Sequence, residues 1–349
     1  MSDWDVLVAR DDLREIELRH APDRAPLAEG EARLEIERFA LTANNITYGM
    51  IGESFGYWRF FPAEGAFGRI PVWGFARVVE SRAPDAPVGL RLFGYLPMST
   101  SFTARLARKA GGYVDTAPHR AELPPTYNAY AEAVEDELDD HRALLRPLFM
   151  TSWLLDDFLA EDASIRTLVL SSASSKTAMG LAWFARRRGL PVVGLTSPGN
   201  AQTLAGLNLH DRIVPYGEVG GLKVEGPAVY VDFAGDPQVT LGVHRALGAE
   251  LSRSIIVGGT HWSAERTAGD LPGPAPVLFF APDQIRKRAA EWGPEALDTR
   301  FMAALRAFVA EAGWLKLKQS TGPEGLMAAY RDVLEGRARP DEGHIIRPA

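Results

Sequence analysis

Between residues 167 and 257, short apolar strands alternate with helices, and this order constrains the fold more than any other feature of the sequence. The first strand, residues 167–170, is followed by a helical pattern over residues 178–188. Strands that are apolar along their whole length are typical of a parallel sheet that is covered on both faces. The further strands are predicted at residues 192–195, 212–214, 228–231 and 254–257. This part of the chain therefore predicts a doubly wound α/β domain.

The residues before this region follow a different pattern. In residues 32–41, apolar side chains occupy every second position, which is typical of a half-buried strand. Short apolar runs at 70–79 and 88–96 follow, and Gly and Pro separate them. Short strands with such turns favour a β-barrel or a β-sandwich.

Helical patterns lie on both sides of the boundary between these two regions, and the chain ends on a strand-like segment. The helices are predicted at residues 129–142, 150–160, 301–312 and 325–334, and the final strand at 344–346. We therefore predict two domains, one formed by residues 1–142 and 310–349 and the other by residues 143–309.

Composition excludes several classes of function. The chain has 349 residues, no cysteine and a net charge of -7. Without thiols it cannot form disulfides, zinc–thiolate sites or iron–sulfur clusters. Its negative charge opposes binding to nucleic acid, and no stretch approaches the roughly 20 apolar residues that a membrane helix requires. The N-terminus lacks the basic start and apolar run of a signal peptide. We expect a cytoplasmic protein with no membrane span and no nucleic-acid partner.

A turn of small residues, Ser171-Ser-Ala-Ser-Ser-Lys-Thr177, lies between the first predicted strand and its helix. Small residues at a helix N-terminus let backbone N–H groups approach a phosphate, which the helix dipole also favours. The glycine fingerprint G-x-G-x-x-G is absent, so a serine-capped helix without a ligand is the alternative. A P-loop is excluded because Leu170 and Ser175 stand where that motif requires glycine.

The second predicted strand ends without an acidic residue. In dinucleotide-binding domains an Asp or Glu at this position binds the ribose diol of NAD, and its absence leaves room for a 2′-phosphate. Thr196, Ser197 and Asn200 are neutral hydrogen-bond donors at this strand end. They suit that phosphate and are equally compatible with an ordinary turn.

Residues 167–216 resemble the nucleotide-binding core of the medium-chain dehydrogenase/reductase superfamily, in particular its zinc-free quinone oxidoreductase-like branch. The serine-rich turn is similar to that branch's Gly-Ala-Ser-Gly-Gly-Val-Gly turn, and Ile213-Val-Pro-Tyr216 is similar to its Ile-Asn/Asp-Tyr. Residues 34–48 resemble the strand that leads into the family's substrate loop. Residues 325–346 resemble its closing helix and strand.

Two further segments, residues 113–119 and 151–158, resemble an uncharacterised bacterial group within that superfamily. The resemblance implies a GroES-like β-barrel domain that holds a small-molecule substrate. It also implies a Rossmann domain, with a doubly wound parallel sheet, that holds NADP(H).

The resemblance also implies roles for individual residues, each carried over by its position in the motif. The residues expected to line the pyrophosphate are Ser174, Ser175, Lys176, Thr177 and Ala178. Those expected around the adenosine 2′-phosphate are Ser197, Asn200 and Tyr216. Those expected beside the nicotinamide and its ribose are Thr151, Gly258, Gly259 and Thr260. The residues that match the loop facing the nicotinamide are Asn44, Asn45 and Tyr48.

The chain departs from the family at two places. The Gly-His-Glu motif that begins catalytic zinc binding is replaced by Trp73-Gly-Phe-Ala76, and with no cysteine we expect no metal site. Residues 105–146 have no counterpart in the family. They either cap the site or form a contact in the homodimer that we expect.

A metal-free hydride enzyme needs a hydrogen-bond donor to polarise the acceptor and a weak acid to protonate it. Tyr48 is the candidate for the donor or the acid, with Asn44 or Asn45 orienting the acceptor carbonyl; the alternative for Tyr48 is a packing role. The aromatic segment at residues 55–61 forms either an apolar lid over a bulky acceptor or a hydrophobic knot.

Two functions follow from these features. The first is an NADPH-dependent, metal-free oxidoreductase that reduces an activated alkene, enone or quinone. The second is a non-catalytic binding or scaffold protein of the same fold, whose nucleotide site has decayed with the loss of the glycines. A serine hydrolase is excluded because no G-x-S-x-G elbow is present.

Overall fold

The chain forms two compact units, one of which is inserted into the other. The computed structural model describes residues 3–20, 25–109, 111–257 and 271–348. The first unit comprises Met1–Leu144 and Leu315–Ala349, and the second comprises Leu145–Trp314. The chain therefore enters the second unit at residue 145 and leaves it after residue 314, where the sequence analysis placed these boundaries at residues 143 and 309.

The first unit is built mainly of short antiparallel strands. Its strands before the insertion are β1 (Trp4–Ala9), β2 (Ile16–His20), β3 (Glu31–Leu41), β4 (Phe67–Gly68), β5 (Pro71–Ser81), β6 (Arg91–Pro97), β7 (Ser101–Lys109), β8 (Gly112–Asp115) and β9 (Ala129–Glu132). The helix α1 (Ala43–Met50) follows β3, and α2 (Asp139–Leu159) leads into the second unit.

Six of these strands close into a barrel. The order β3-β5-β6-β9-β8-β7 is completed by pairing of β7 with β3, so this set of strands has no free edge. Alternate residues of β3, namely Ala32, Leu34 and Ile36, lie in the apolar core, as the alternating pattern predicts. This closure confirms the predicted barrel.

The helix predicted at residues 129–142 is wrong in its first half. Ala129–Glu132 is strand β9, which pairs with β6 and β8, and the helix begins only at Asp139. Tyr130 of β9 is fully buried, and its hydroxyl donates to the backbone oxygen of Tyr95. Burial of this side chain and the barrel's hydrogen bonds outweigh the local helical preference of an acidic sequence.

The second unit alternates strands and helices. Its elements after α2 are β10 (Thr167–Leu170), α3 (Lys176–Arg187), β11 (Val192–Thr196), α4 (Pro198–Leu207), β12 (Arg212–Pro215), β13 (Ala228–Asp232), α5 (Pro237–Leu247), β14 (Leu251–Val257), β15 (Val277–Phe279), α6 (Ala281–Trp292) and α7 (Pro294–Glu311). After it the chain returns to the first unit as β16 (Lys316–Thr321), α8 (Gly322–Leu334) and β17 (Glu342–Arg347).

All six strands of the second unit are parallel, in the order β12-β11-β10-β13-β14-β15. The chain builds outward from β10 to one side, then returns to the other side of β10 and continues from β13. This order confirms the predicted Rossmann domain. Its topological switch point lies between β10 and β13, where ligands of open α/β sheets bind beyond the carboxyl ends of the strands.

Two basic clusters of the second unit, residues 186–188 at the end of α3 and residues 286–288 in α6, contact acidic side chains. Arg187 contacts Glu311, and Arg188 contacts Asp156. In α6, Arg288 contacts Asp157 at 2.6 Å. Such pairing is typical of solvated helix faces. Among the described residues, no helix is long and apolar enough to span a membrane.

Candidate functional site

The predicted phosphate-binding residues lie in the turn between β10 and α3, at the carboxyl edge of the parallel sheet. Ser175 is the N-cap of α3, and its hydroxyl accepts a hydrogen bond from the backbone N–H of Ala178 at 3.1 Å. Ala178 is fully buried. These two predicted ligands therefore hold the first turn of the helix together, and their polar groups bond to each other.

Ser172 gives this turn the backbone geometry that glycine usually provides. Its φ is +45°, in the left-handed region that residues other than glycine rarely adopt. Its N–H donates to the hydroxyl of Tyr216 at 2.9 Å, and its carbonyl accepts from the N–H of Ser175. The turn is therefore tight even though the glycine fingerprint is absent.

The N-terminus of α3 carries backbone N–H groups that have no acceptor among the described residues. Within the part of the chain that the structure describes, the N–H groups of Ser174 and Thr177 make no hydrogen bond to protein, and both residues are half-buried. Unpaired N–H groups at a helix N-terminus are a suitable site for an anion, and the helix dipole adds to the attraction. Lys176, the first residue of the helix, adds a positive charge. The turn therefore fits the pyrophosphate of a dinucleotide.

A buried carboxylate that the sequence analysis missed ties the two sides of the switch point together. Asp232 ends β13 and accepts a hydrogen bond from the hydroxyl of Ser171, which follows β10, at 2.6 Å. The same hydroxyl accepts from the N–H groups of Phe233 and Ala234 at 2.8 and 3.0 Å. Thr240 of α5 donates to the second carboxylate oxygen. In the sequence, Asp232 is recognisable as an acidic residue that directly follows the apolar run of residues 228–231.

The residues predicted to surround a 2′-phosphate follow the next two strands of the same edge. Ser197 is the N-cap of α4, and its side chain makes no capping hydrogen bond. Asn200 lies in the first turn of that helix, and its backbone N–H donates a hydrogen bond to the carbonyl of Ser197. Tyr216 follows β12, and its hydroxyl reaches the turn after β10. Burial raises the pKa of Tyr216, so its hydroxyl is neutral at physiological pH.

Thr151 lies in α2, where that helix packs closely on α3. The neighbouring Ser152 donates to the carbonyl of Thr177 at 2.7 Å. A Cβ at Gly180 would lie 2.6 Å from the hydroxyl oxygen of Ser152, so only glycine permits this approach. Thr151 itself is half-buried, and its hydroxyl bonds to the carbonyl of Pro147 one turn earlier. The predicted site residues Gly258, Gly259 and Thr260 lie outside the described residues.

In the first unit, Tyr48 lies on α1 inside a cluster of aromatic side chains. It is 6% exposed, and its hydroxyl accepts a hydrogen bond from the indole N–H of Trp73 at 3.3 Å. Burial raises the pKa of Tyr48, and the hydrogen bonds from Trp73 and Asn44 oppose that shift. The hydroxyl is therefore protonated at physiological pH.

The two candidate asparagines are placed differently. The side-chain oxygen of Asn45 accepts from the N–H of Thr42 at 2.8 Å, and its amide nitrogen donates to the carbonyl of Pro71. Asn45 is 3% exposed, so its amide belongs to the start of α1. Asn44 is half-buried and lies four residues before Tyr48 in α1, on the same face of the helix. Of the two, Asn44 is placed to act with Tyr48.

The aromatic segment at residues 55–61 is a hydrophobic knot. Tyr57, Trp58, Phe60 and Phe61 are buried, and three of them belong to the apolar cluster that includes Tyr48. Of the aromatic residues in this segment, Phe55 alone is largely exposed, at 48%, and its ring is stacked on that of Tyr57. Of the two alternatives, the structure therefore favours the knot, with one aromatic ring at its surface.

Several solved structures share this two-domain fold over almost their whole length. CurA from Vibrio vulnificus, solved in complex with NADPH, is similar to this chain with a TM-score of 0.65 and 15% identity, over 100% of this chain and 99% of that one. JamJ enoyl reductase gives 0.64 and 13%, over 99% of both chains. A protein described as an NADPH:quinone reductase from Mesorhizobium loti gives 0.66 and 14%, over 100% and 99%.

At these identities the similarities establish the fold alone, which this chain shares with all three structures. Residues 39–339 match the model of a family described as "Protein of unknown function (DUF2855)", and the chain belongs to that family. No curated protein sequence matches it.

Proposed function

We propose that the protein is an NADPH-dependent oxidoreductase that reduces an activated alkene, enone or quinone without a metal ion. The observation that carries this proposal is the turn after β10. At the switch point of a Rossmann sheet, this turn holds the left-handed Ser172 and the N–H groups of Ser174 and Thr177, which have no acceptor among the described residues. CurA, which has the same fold, was solved with NADPH bound.

Some residues of this turn are proposed to bind the cofactor, and others to stabilise the N-terminus of α3. We propose that Ser174, Lys176 and Thr177 contact the pyrophosphate, while Ser175 and Ala178 keep the helix terminus in shape. Ser197, Asn200 and Tyr216 surround the 2′-phosphate, because the end of β11 offers neutral donors and no carboxylate. Thr151 contacts the nicotinamide. The same roles are proposed for Gly258, Gly259 and Thr260 as the resemblance implies.

When bound, NADPH supplies the hydride that adds to the β carbon of the acceptor. The protein's own part is to polarise the acceptor carbonyl and to deliver a proton. Tyr48 donates its hydroxyl proton, which burial keeps on the oxygen until a stronger base is present. Trp73 fixes the orientation of that hydroxyl by its 3.3 Å hydrogen bond, and Asn44 orients the carbonyl.

We propose a reaction without zinc because the residues in place of the family's zinc-binding motif are not zinc ligands. Trp73 is a residue of β5 at the start of the segment that replaces the family's Gly-His-Glu motif, and its indole packs against Tyr95 and Tyr127. Indole is not a zinc ligand, and the chain offers no thiolate. The acceptor must therefore be activated by conjugation and by hydrogen bonds rather than by a Lewis acid.

A bulky or apolar acceptor agrees with the surface near Tyr48. Met50, at the end of α1, is 72% exposed, and Phe55 is 48% exposed. Both belong to the segment that leads from Tyr48 into the hydrophobic knot. Exposed apolar side chains in such a position favour contact with an apolar part of the substrate.

A homodimer in the cytoplasm completes the proposal. Strand β15 is the last strand of the six-stranded sheet, and Val277 and Leu278 in it are 61% and 57% exposed. Phe280, directly after the strand, is 54% exposed. An apolar edge strand is a favourable surface for pairing with a second copy of the same sheet.

The alternative is a non-catalytic binding protein with a decayed nucleotide site. One observation favours it: the N–H groups of Phe233 and Ala234, at the switch point, are already bonded to the hydroxyl of Ser171. Those donors are not available to a ligand. The two functions differ in turnover, since the alternative predicts none with any acceptor.

Oxidation of NADPH in the presence of a panel of enones and quinones tests the proposal. We expect turnover with at least one acceptor, and a decrease of about 100-fold in the Tyr48→Phe variant, because general acid catalysis contributes at least that factor. The affinity for NADPH should be unchanged in that variant, since Tyr48 lies in the first unit. Full activity of Tyr48→Phe would remove Tyr48 from the mechanism.

A further inference from the structure

Tyr216 connects the two groups of residues that are proposed to bind the cofactor. It directly follows β12, whereas Ser172 follows β10, and β11 lies between these two strands in the sheet. The backbone N–H of Ser172 nevertheless donates to the hydroxyl of Tyr216 at 2.9 Å. Neighbouring strands are about 4.8 Å apart, so the side chain of Tyr216 and this hydrogen bond together span two strand spacings. They pass the carboxyl end of β11, which Ser197 and Asn200 follow.

A series of hydrogen bonds continues from Tyr216 into the first turn of α3. The carbonyl of Ser172 accepts from the N–H of Ser175 at 2.8 Å, and the hydroxyl of Ser175 accepts from the N–H of Ala178 at 3.1 Å. Ser172 thus has both backbone groups hydrogen-bonded while its φ is +45°, a conformation that serine adopts only when its surroundings hold it there. The N–H groups that are proposed to bind the pyrophosphate belong to residues between Ser172 and Ala178. Their positions therefore depend on the bond from Ser172 to Tyr216.

The Tyr216 hydroxyl accepts one hydrogen bond and has a proton left to donate. A phenol can do both at once, and burial raises the pKa of Tyr216, so the hydroxyl keeps its proton at physiological pH. Within the described part of the chain, the bond from Ser172 is the one hydrogen bond of this hydroxyl. Hydrogen bonds in series polarise one another, so a hydroxyl that donates to an anion also accepts more strongly. A phosphate group at the end of β11 would therefore strengthen the bond from Ser172.

We propose that Tyr216 couples the 2′-phosphate of NADPH to the turn that binds the pyrophosphate. Its hydroxyl donates to the 2′-phosphate, accepts from the N–H of Ser172, and so holds the turn in its left-handed conformation. NADH has no 2′-phosphate and therefore lacks this support as well as the contact itself. Tyr216 is thus a specificity-determining residue, and the inference rests on the proposed function because it requires NADPH to be the cofactor.

Two variants separate this role from a general loss of stability. Tyr216→Phe removes the hydroxyl and leaves the ring, which packs on the apolar core of the second unit. Tyr330→Phe is the matched control in the first unit, where the hydroxyl of a fully buried tyrosine donates to the carbonyl of Leu13 at 2.8 Å. Each variant loses one phenolic oxygen and its bond to one backbone group. Of the two, Tyr216→Phe alone breaks the series that leads to α3.

The first test uses adenosine 2′-monophosphate, which carries the 2′-phosphate and has no pyrophosphate to reach the turn itself. Protein labelled with ¹⁵N at serine reports the backbone N–H groups of Ser172, Ser175 and Ser197 by NMR. The signal of Ser197 should shift on binding. Hydrogen exchange of the Ser172 and Ser175 amides should slow, by up to about tenfold at a ligand concentration of about ten times Kd, because opening the turn then costs the bound state. Adenosine, without the phosphate, should not slow it.

Comparison with the variants decides whether Tyr216 carries this effect. In Tyr216→Phe the ligand should no longer slow exchange at Ser172 and Ser175, while Tyr330→Phe should behave as wild type. Binding that shifts the Ser197 signal and leaves both amides unchanged in the wild-type protein would overturn the coupling and leave the proposed function intact. Equal slowing in wild type and in Tyr216→Phe, or no response to this ligand in a protein that binds NADPH, would overturn it too. A wild type that does not bind NADPH would refute the proposed function itself.

The second test compares the affinities for NADPH and NADH by fluorescence titration. Tyr216→Phe should lose about tenfold or more in affinity for NADPH, since a hydrogen bond to a charged group is lost together with the support of the turn. Its affinity for NADH should fall by less, about threefold, because only the neutral bond from Ser172 is lost. Tyr330→Phe should change neither affinity. An unchanged NADH affinity in Tyr216→Phe would confine the residue to the phosphate, and equal losses for both cofactors would confine it to the turn; either result would overturn the coupling.

Discussion

Ser172 holds a backbone conformation that costs free energy for any residue with a Cβ. Its φ of +45° places it in the left-handed region, and it is one of two non-glycine residues with positive φ among the described residues. For a polar residue this costs on the order of 1 kcal/mol. Its N–H and carbonyl are both hydrogen-bonded, to Tyr216 and Ser175, which hold the residue there. Serine at position 172 therefore lowers the free energy of unfolding, while the turn keeps the conformation that glycine would give it.

Two substitutions at Ser172 test whether its backbone conformation is strained. Ser172→Gly should keep or raise the free energy of unfolding, by up to about 1 kcal/mol, because glycine adopts this φ without strain. Ser172→Val should lower it by about 2 kcal/mol, since a β-branched side chain is strongly disfavoured at positive φ. Urea unfolding of both variants measures the difference. Equal stability of the two would contradict the strain at this position.

His210 is a buried histidine whose environment disfavours its charged form. It is 8% exposed, and within the described residues neither ring nitrogen has a hydrogen-bond partner. Burial lowers its pKa to about 4 from the ordinary 6.5. Between these two values the unfolded chain binds a proton that the folded protein does not. Stability is therefore lost as the pH falls from about 6.5 towards 4.

We expect this residue to contribute a loss of about 3 kcal/mol in the free energy of unfolding across that pH range. His210→Leu removes the titrating group without leaving a partner unpaired, so its stability should fall less over the same range. Urea unfolding at a series of pH values between 7 and 4 provides the comparison. Parallel curves for wild type and variant would show that His210 does not titrate as described.

At the scale of single elements, α1 depends on the side chain of Asn45. That side chain satisfies the N–H of Thr42 and the carbonyl of Pro71, and both would be left without a partner in Asn45→Ala. We expect a loss of about 2 kcal/mol in the free energy of unfolding for this variant. Asn44→Ala, one residue earlier, should change stability by less than about 0.5 kcal/mol. A reversed order in thermal unfolding would refute this division of roles.

The elements that could be predicted from sequence are those whose pattern is local. The strands and helices around residues 167–231 have unbroken apolar runs and a capping serine, so their order and the position of the serine-rich turn could be predicted. Strand β9 was mistaken for a helix because its burial comes from pairing with strands distant in sequence.

The site residues that could not be predicted depend on similar long-range placement. Asp232 meets Ser171 across 61 positions, and Tyr57 meets Tyr127 across 70. Nothing in the local sequence of either residue indicates its partner. Sequence could therefore single out the candidate turn and the candidate tyrosine, and it could not identify the groups that are hydrogen-bonded to other candidate residues from a distance in the chain.

At the scale of the whole molecule, the edge strand β15 determines the expected assembly. Leu278→Lys places a charge in the apolar edge, which should oppose pairing of two copies. Val88→Lys, at a residue of the first unit that is 64% exposed, is the matched control. Sedimentation should show twice the chain mass for wild type and for Val88→Lys, and one chain mass for Leu278→Lys. A monomeric wild type would contradict the dimer.

The most direct test of the proposed function is a fluorescence titration of the purified protein with NADPH. We expect saturable binding with a Kd of about 1 to 100 μM, weaker binding of NADH, and a loss of affinity of about tenfold in Lys176→Ala. These results follow from the turn after β10, the neutral end of β11 and the charge at the start of α3. An absence of saturable binding at about 1 mM NADPH would contradict the account and favour the non-catalytic alternative.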